Sequence, residues 1–497
     1  MALVTNKHRL ELAKKYFELI ETGSVYMYVG GVVPWTNETS PPSPTDADSD
    51  DISIWNNMVF CKKVSNVSFV VPRYDWTSGT KYQEYSHDTD LDGLKYYVYS
   101  NNGTQNNIWK CISNNEQVAG ASGIPIATNI TAGTPKSVRQ YVSENLGVGN
   151  DGYVWKHMST FSTTDFDNFA TTADDSIGGW LPVSTSHINT TNRETAVPGE
   201  VYHLAIKSSY SYATAAVWAG VADKKVEIIG DGTGFEGQVK KIPSGNYYIS
   251  IINKGSGYFN VDDVKVNASS THPSLPDSIP WKNILNPIIS PIQGHSYNIL
   301  EELNATRLMA TVDLAESETG FMAENQFRQV GLIYAPYAYS ANFDDYTISG
   351  GEALGAKFTG TSGVATYKFT LGTLTGDITT ISDLNSHVGG TTDFTVTQRT
   401  TGGTSIAKGK LVEVVGVSGP DIYVTFDIGY GTSSFTTTTA GHNLLIDNGT
   451  DSTTATYSAV ALPTIKRYTG SILYKANIPP ITRQTGSTQK IRLVLEF

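Results

Sequence analysis

The chain has 497 residues, more than one hydrophobic core ordinarily serves, so two or three domains are expected. Charged residues make up only 16%, against roughly 25% in an ordinary soluble domain, and the polar bulk is Thr, Ser, Asn and 46 glycines, which suits strands and turns. The 35 Lys and Arg against 47 Asp and Glu leave a formal charge of −12, which argues against nucleic-acid binding, because phosphate contact needs a basic face and Lys62-Lys63, Lys224-Lys225 and Lys240-Lys241 are scattered.

The first predicted element is a helix over His8 to Glu21, where Leu10, Leu12, Ala13, Phe17 and Leu19-Ile20 recur at spacings that make one buried stripe, ended by Gly23. Residues 26–34 read as a strand, and Thr36 to Asp51 as a Pro- and Asp-rich loop. From 87 to 300 the pattern is mostly β. Leu94 to Ser100 and Asn107 to Ser113 read as strands paired about an Asn101-Asn102-Gly103 turn, and Gly149-Asn150-Asp151-Gly152 leads into a strand at Tyr153-Val154-Trp155. Two Gly-rich turns, 230–234 and 254–258, flank a strand over 246–253. Residues 338–460 mark the clearest shift in composition, with Gly-Thr-Ser turns between short strands such as Val412 to Val417 and Tyr423 to Asp427; a structureless loop of that length is improbable, so a compact β-module is expected there. The last residues, 491–497, are apolar enough to be buried.

The two cysteines, Cys61 and Cys111, form no Cys-x-x-Cys pair and fit a reducing compartment. Met1 to His8 lacks the apolar core of a signal peptide, and no run approaches the ~18 apolar residues of a membrane span. Sequons such as Asn66, Asn129 and Asn304 are then the arithmetic of an Asn- and Thr-rich chain.

The best candidate for site chemistry is Asp88-Thr89-Asp90-Leu91-Asp92-Gly93, which matches the first half of a calcium loop. The twelfth position, where a bidentate Glu should close the cage, is Tyr99, so an acidic surface turn is the expectation and no metal is assigned. Gly230-Asp231-Gly232-Thr233-Gly234 lacks the Gly-Lys-Ser/Thr of a phosphate loop and reads as a β-turn. The nine histidines show no metal spacing, and no Gly-x-Ser-x-Gly elbow occurs. Asp174-Asp175 and Asp344-Asp345 are adjacent pairs that would point to opposite faces of a strand, which makes them poor catalytic pairs. No catalytic residue, cofactor or enzyme activity is therefore expected. Trp35, Trp55, Trp76, Trp109 and Trp155 are read mainly as core fillers, with one or two available as interface anchors.

A set of short motifs remains: Pro34-Trp35, Pro41-Pro42-Ser43-Pro44-Thr45-Asp46, Trp55-Asn56-Asn57-Met58, Val71-Pro72-Arg73-Tyr74-Asp75-Trp76, Gly149 to Lys156, Gln326-Phe327-Arg328-Gln329-Val330, Asn477-Ile478-Pro479-Pro480 and Lys490 to Phe497. In this order they resemble the baseplate wedge protein of T-even-type contractile-tailed bacteriophages, the product of gene eight. The resemblance covers roughly residues 1–160, 300–337 and 461–497, a little under half the chain. It implies a mainly β, multi-domain sandwich or barrel architecture with an N-terminal helix. The implied layout is a discontinuous core of 1–86, 301–337 and 461–497, interrupted by a β-rich domain at 87–300. The β-module at 338–460 is a departure from the family, which has only a short connection there. The implied function is that of a structural subunit in the virion tail baseplate, passing through the host cytoplasm during assembly. Such a subunit forms a homodimer, binds other wedge proteins and tail-fibre attachment proteins, meets neither nucleic acid nor membrane, and takes part in the rearrangement that triggers sheath contraction. The rival reading is a tail-associated carbohydrate-binding or glycan-cleaving protein.

Overall fold

The computed structural model describes residues 3–31, 34–77, 82–101, 105–113, 154–171, 179–183, 196–206, 223–241, 247–266, 281–316, 318, 320–321, 326–339, 356–387, 394–416, 419–425 and 435–497. The turns at Asn102-Gly103 and Gly149–Tyr153, the pairs Asp174-Asp175 and Asp344-Asp345, and the sequon at Asn129 lie outside the described residues. The architecture is mainly β, with several sheets, a closed six-stranded barrel and one N-terminal helix, as composition and turn pattern predict. The chain divides into two units, Met1–Lys14 with Ser68–Met309 and Val494–Phe497, and Lys15–Val67 with Ala310–Leu493.

The helix Asn6–Glu21 follows its predicted stripe: Leu10, Ala13 and Ile20 are buried. The Thr5 hydroxyl accepts the His8 N–H at 3.3 Å at its start, and Gly23, at φ 74°, donates to the Ile20 carbonyl past its end. A second helix, Asp48–Asn57, corrects the loop reading of Thr36 to Asp51, which overran its first four residues. Asp48, Asp50 and Asp51 in the first turn complement the positive end of the helix, and Asp50 folds back to accept the Thr45 N–H at 2.7 Å. Those acidic residues were read as loop formers, although they equally mark a helix start.

In the first unit, Tyr97–Asn101 pairs antiparallel with Asn106–Ser113, as expected of that hairpin, and Asn106–Ser113 pairs in turn with Val154–Phe161. Their core is Tyr82, Val98, Trp109, Cys111 and Trp155, with Trp76 partly buried against it. A four-stranded sheet of Tyr247–Ser256, Thr233–Lys241, Lys225–Gly230 and Val261–Val266 shares a second core with the pair Val201–Ile206 and Leu285–Ile289. The two Gly-rich turns meet there. The Tyr258 ring lies over Gly232, where an added Cβ would come within 2.4 Å of it. Asp231 accepts the N–H groups of Phe259 and Asn260 at 2.9 and 3.0 Å, so this turn holds the chain's own backbone. In the same unit Phe69 to Pro72 pairs antiparallel with Trp180–Val183. Val70, Phe169, Trp180 and Met309 form a core with Val494 packed on it.

In the second unit, a five-stranded sheet is ordered Ser362–Val364, Met58–Lys63, Val25–Gly30, Gln326–Tyr334, Ser471–Thr482. Val25–Gly30 is buried at all six positions, as a strand covered on both faces must be. Ser471–Thr482 closes one end of the sheet, and Pro479-Pro480 sits in it, where a residue without an N–H is tolerated. Gly331 lies where a Cβ would fall 2.5 Å from the Tyr28 hydroxyl, which reaches across it to the Tyr474 carbonyl at 3.3 Å.

The barrel closes through Tyr367–Gly376, Asp421–Val424, Ser405–Val415, Thr395–Thr400, His442–Asp447 and Ser452–Ala461, the last pairing back onto the first. Tyr367, Phe369, Val396, Ile422, Leu444 and Ile446 fill its interior. Gln398 is fully buried among them and fully engaged: its amide nitrogen donates to the Tyr457 hydroxyl at 2.6 Å and the Thr436 carbonyl at 2.9 Å, and its oxygen accepts the Thr436 N–H at 2.8 Å.

Candidate functional site

Motifs lying hundreds of residues apart come together on the five-stranded sheet of the second unit. Gln326–Tyr334 and Ser471–Thr482 are neighbours in register, Gln329 opposite Asn477 and Phe327 opposite Ile481, so the Gln-Phe-Arg-Gln-Val and Asn-Ile-Pro-Pro segments form adjacent strands. The Gln329 amide donates to Asn477 Oδ1 at 3.1 Å, and Asn477 donates to the Pro42 carbonyl at 2.8 Å. The Trp35 indole donates to the Ile478 carbonyl at 3.0 Å. Lys475 donates to the Thr45 carbonyl at 2.9 Å and pairs with Asp51 at 2.6 Å. Arg328 forks onto Glu38, with Nε 3.0 Å from both carboxylate oxygens. Buried Arg467 donates to the carbonyls of Trp55 and Asn56, both at 2.8 Å. The segment 34–51 is thereby fastened to the last strand of the sheet by three side chains, Trp35, Lys475 and Asn477, and to the neighbouring strand by Arg328.

The first unit holds a different feature, a cleft of about 720 Å³ with a buried charge network in its floor. Lys110, without exposure, lies 3.0 Å from Glu302 Oε2 and 3.3 Å from His295 Nδ1, and His295 Nδ1 is 3.2 Å from the same carboxylate oxygen. An ammonium has donors only, so Nδ1 either carries a proton given to Glu302 or stands bare to accept from Lys110. Ser296, in the left-handed region at φ 70°, turns its N–H onto Glu302 Oε1 at 2.6 Å. The Tyr85 and Tyr202 rings flank His295 at 4.8 Å each, and Lys110 sits 3.9 Å over the Tyr85 ring. Burial and the neighbouring Lys110 push the His295 pKa down to about 3. Burial opposes the Glu302 charge, but Lys110 and His295 outweigh it and hold that carboxyl at about 2. Burial draws the Lys110 pKa down, with Glu302 opposing. At neutral pH the arrangement is a carboxylate locked in its charged form beside a neutral imidazole. A second buried pair, His203 with Glu84 at 3.3 Å, lies in the same unit.

The acidic turn at Asp88, Asp90 and Asp92 is exposed. Asp88 accepts from the Asn286 amide at 3.1 Å and contacts His87, Asp90 accepts the Asp92 N–H at 3.1 Å, and Tyr99 lies in a strand with its hydroxyl donating to Asn106. Among the described residues no group of three or more His, Cys, Asp or Glu is placed to hold a metal, and no helix is long and apolar enough to cross a membrane. Trp55, Trp109 and Trp155 are buried, whereas Trp35 is half-buried and tied to the last strand of its sheet. Sequence reasoning missed the Lys110 network. Its signal is a lysine in phase with Ile108 and Ile112 on a strand whose both faces are apolar, a position that has to find a counter-charge.

No family model matches the chain, and no curated protein matches it.

Proposed function

We propose that this chain is a non-catalytic structural subunit of a contractile-tailed bacteriophage baseplate, a wedge protein that acts by binding a second copy of itself and neighbouring wedge proteins. The convergence described above carries the reading: of the motifs that resemble the wedge family, Gln329 is hydrogen-bonded to Asn477, Asn477 to Pro42 and Trp35 to Ile478, so segments from three distant parts of the chain meet at the last two strands of one sheet. Motifs kept for independent reasons have no need to meet. The charge network supports the same reading against glycan cleavage, because a general acid needs a raised pKa and the cleft's Glu302 is held low. Its neighbour Glu301 is paired with Lys7 at 2.7 Å. The buried carboxyl that does rise, Glu413, belongs to the other unit.

Electron cryomicroscopy of the intact tail tests the proposal: density for this chain is expected in the baseplate wedge, present in pairs. Its absence from the baseplate, or cleavage of a glycan panel by the purified chain, overturns it.

A further inference from the structure

We infer that the cleft of the first unit seats a basic, aliphatic-bearing segment of a neighbouring protein. This rests on the structural-subunit reading and adds the chemistry of the partner. The cleft's own cations are already committed, Lys110 to Glu302 at 3.0 Å and Lys7 to Glu301 at 2.7 Å. Its mouth exposes two large apolar side chains, Phe259 at 56% and Ile292 at 68%. Both ride on fixed turns. The Phe259 N–H is held by Asp231 at 2.9 Å, and the Ile292 turn is closed by Gly294 N–H to the Pro291 carbonyl at 2.7 Å. Rigid apolar groups left in water at the lips of one concavity are what a binding partner covers.

The lining also carries acid. Thr89 and Asp90 line the cleft, with Asp88 and Asp92 close to them in sequence, and among the described residues none of the three aspartates has a lysine or arginine within ion-pair distance, although His87 lies 3.1 Å from Asp88. No lysine or arginine answers the charge of Asp90 at the cleft, while the floor is neutralised by Lys110. The complementary ligand therefore presents an aliphatic or aromatic side chain between Phe259 and Ile292, with Lys or Arg beside it facing the aspartates. A neutral sugar would cover the lips and leave the charge unanswered.

The test uses the full-length chain on an array of overlapping 15-residue peptides tiling the other proteins of the same tail. Tiles joining an aliphatic or aromatic residue to Lys or Arg are expected to bind. Ile292→Ser and Phe259→Ser, both at exposed positions and checked for an unchanged melting temperature, should each weaken the best tile about tenfold or more. Replacing Asp88, Asp90 and Asp92 together by Asn should weaken it several-fold and flatten its salt dependence. No tile binding above its scrambled control, binding indifferent to the lip variants, or binding of neutral oligosaccharides in place of peptides overturns the inference. A null array with the chain still seen in the baseplate sinks this inference and leaves the wedge reading standing, whereas absence from the baseplate sinks the wedge reading itself.

Discussion

Glu302 in the first unit and Glu413 in the second are both buried carboxyls, and their protonation is driven in opposite directions. Around Glu302, Lys110 at 3.0 Å and the Ser296 N–H at 2.6 Å overcome burial, and the group stays ionised down to about pH 2. Around Glu413, burial wins. The Gln326 N–H at 3.2 Å and the charge of Arg328 offset it only in part, and the pKa rises to about 8. The difference lies in the cation: Lys110 was buried together with its carboxylate, while the Arg328 guanidinium is already forked onto Glu38. Burial depth alone does not decide the state of a buried acid; an uncommitted counter-charge does.

The largest expected effect is on the paired side. Lys110→Met leaves the buried Glu302 charge without its lysine, with His295 and the Ser296 N–H as its remaining partners, and should cost about 3–5 kcal/mol in urea unfolding of the full chain, whereas changing both Lys110 and Glu302 to apolar residues should recover most of that loss. A single-variant loss below about 1 kcal/mol would break the account of the network.

The pH response sharpens the contrast next. Unfolded His295 and Glu302 take up protons near their ordinary values of 6.5 and 4.5, while their folded values are about 3 and about 2. Between pH 6.5 and 3 the unfolded chain therefore binds more protons, and the first unit loses stability as pH falls. Glu413 has the reverse sign, since the folded chain holds a proton between pH 4.5 and about 8 that the unfolded chain releases, so the second unit loses stability as pH rises through that window. Limited proteolysis in urea at pH 4, 6 and 8, reading cleavage in each unit, should show opposite trends. Glu413→Gln should flatten the second trend alone, a difference on the order of a few kcal/mol at pH 8. Trends of the same sign in both units would refute the assignment.

Two smaller effects probe neutral polar groups in the second unit. Gln398→Leu strips partners from the Thr436 N–H and the Tyr457 hydroxyl inside the barrel and should cost about 1–3 kcal/mol, independent of pH. Trp35→Phe removes the single bond to the Ile478 carbonyl and should cost about 0.5–1.5 kcal/mol, read as a lower melting temperature.

The mainly β class, the N-terminal helix and the hairpin at 97–113 were legible in the sequence because each rests on local signals: apolar periodicity, turn residues and helix-ending glycine. The helix Asp48–Asn57 was not, because acidic residues serve both a helix start and a loop, and only its two buried residues, Ile54 and Trp55, mark a packed face. The Lys110 network was illegible for a different reason. Its members stand 185 and 192 residues apart in sequence, and a pairing over such distances is fixed by topology. The calcium-like half loop shows the converse, since the spacing Asp88, Asp90, Asp92 is present while its twelfth position, Tyr99, is committed to a strand.

Pro479-Pro480 on the last strand of the five-stranded sheet has a consequence for what that edge can pair with. A stray strand seeking to extend that sheet finds no N–H donor at either proline, whichever of the two faces outward, so a continuous ladder is interrupted there. Nearby, the Ile478 carbonyl is already taken by the Trp35 indole. Edge-to-edge strand pairing is thereby disfavoured at this end of the sheet, which leaves side-chain complementarity to decide what can bind there.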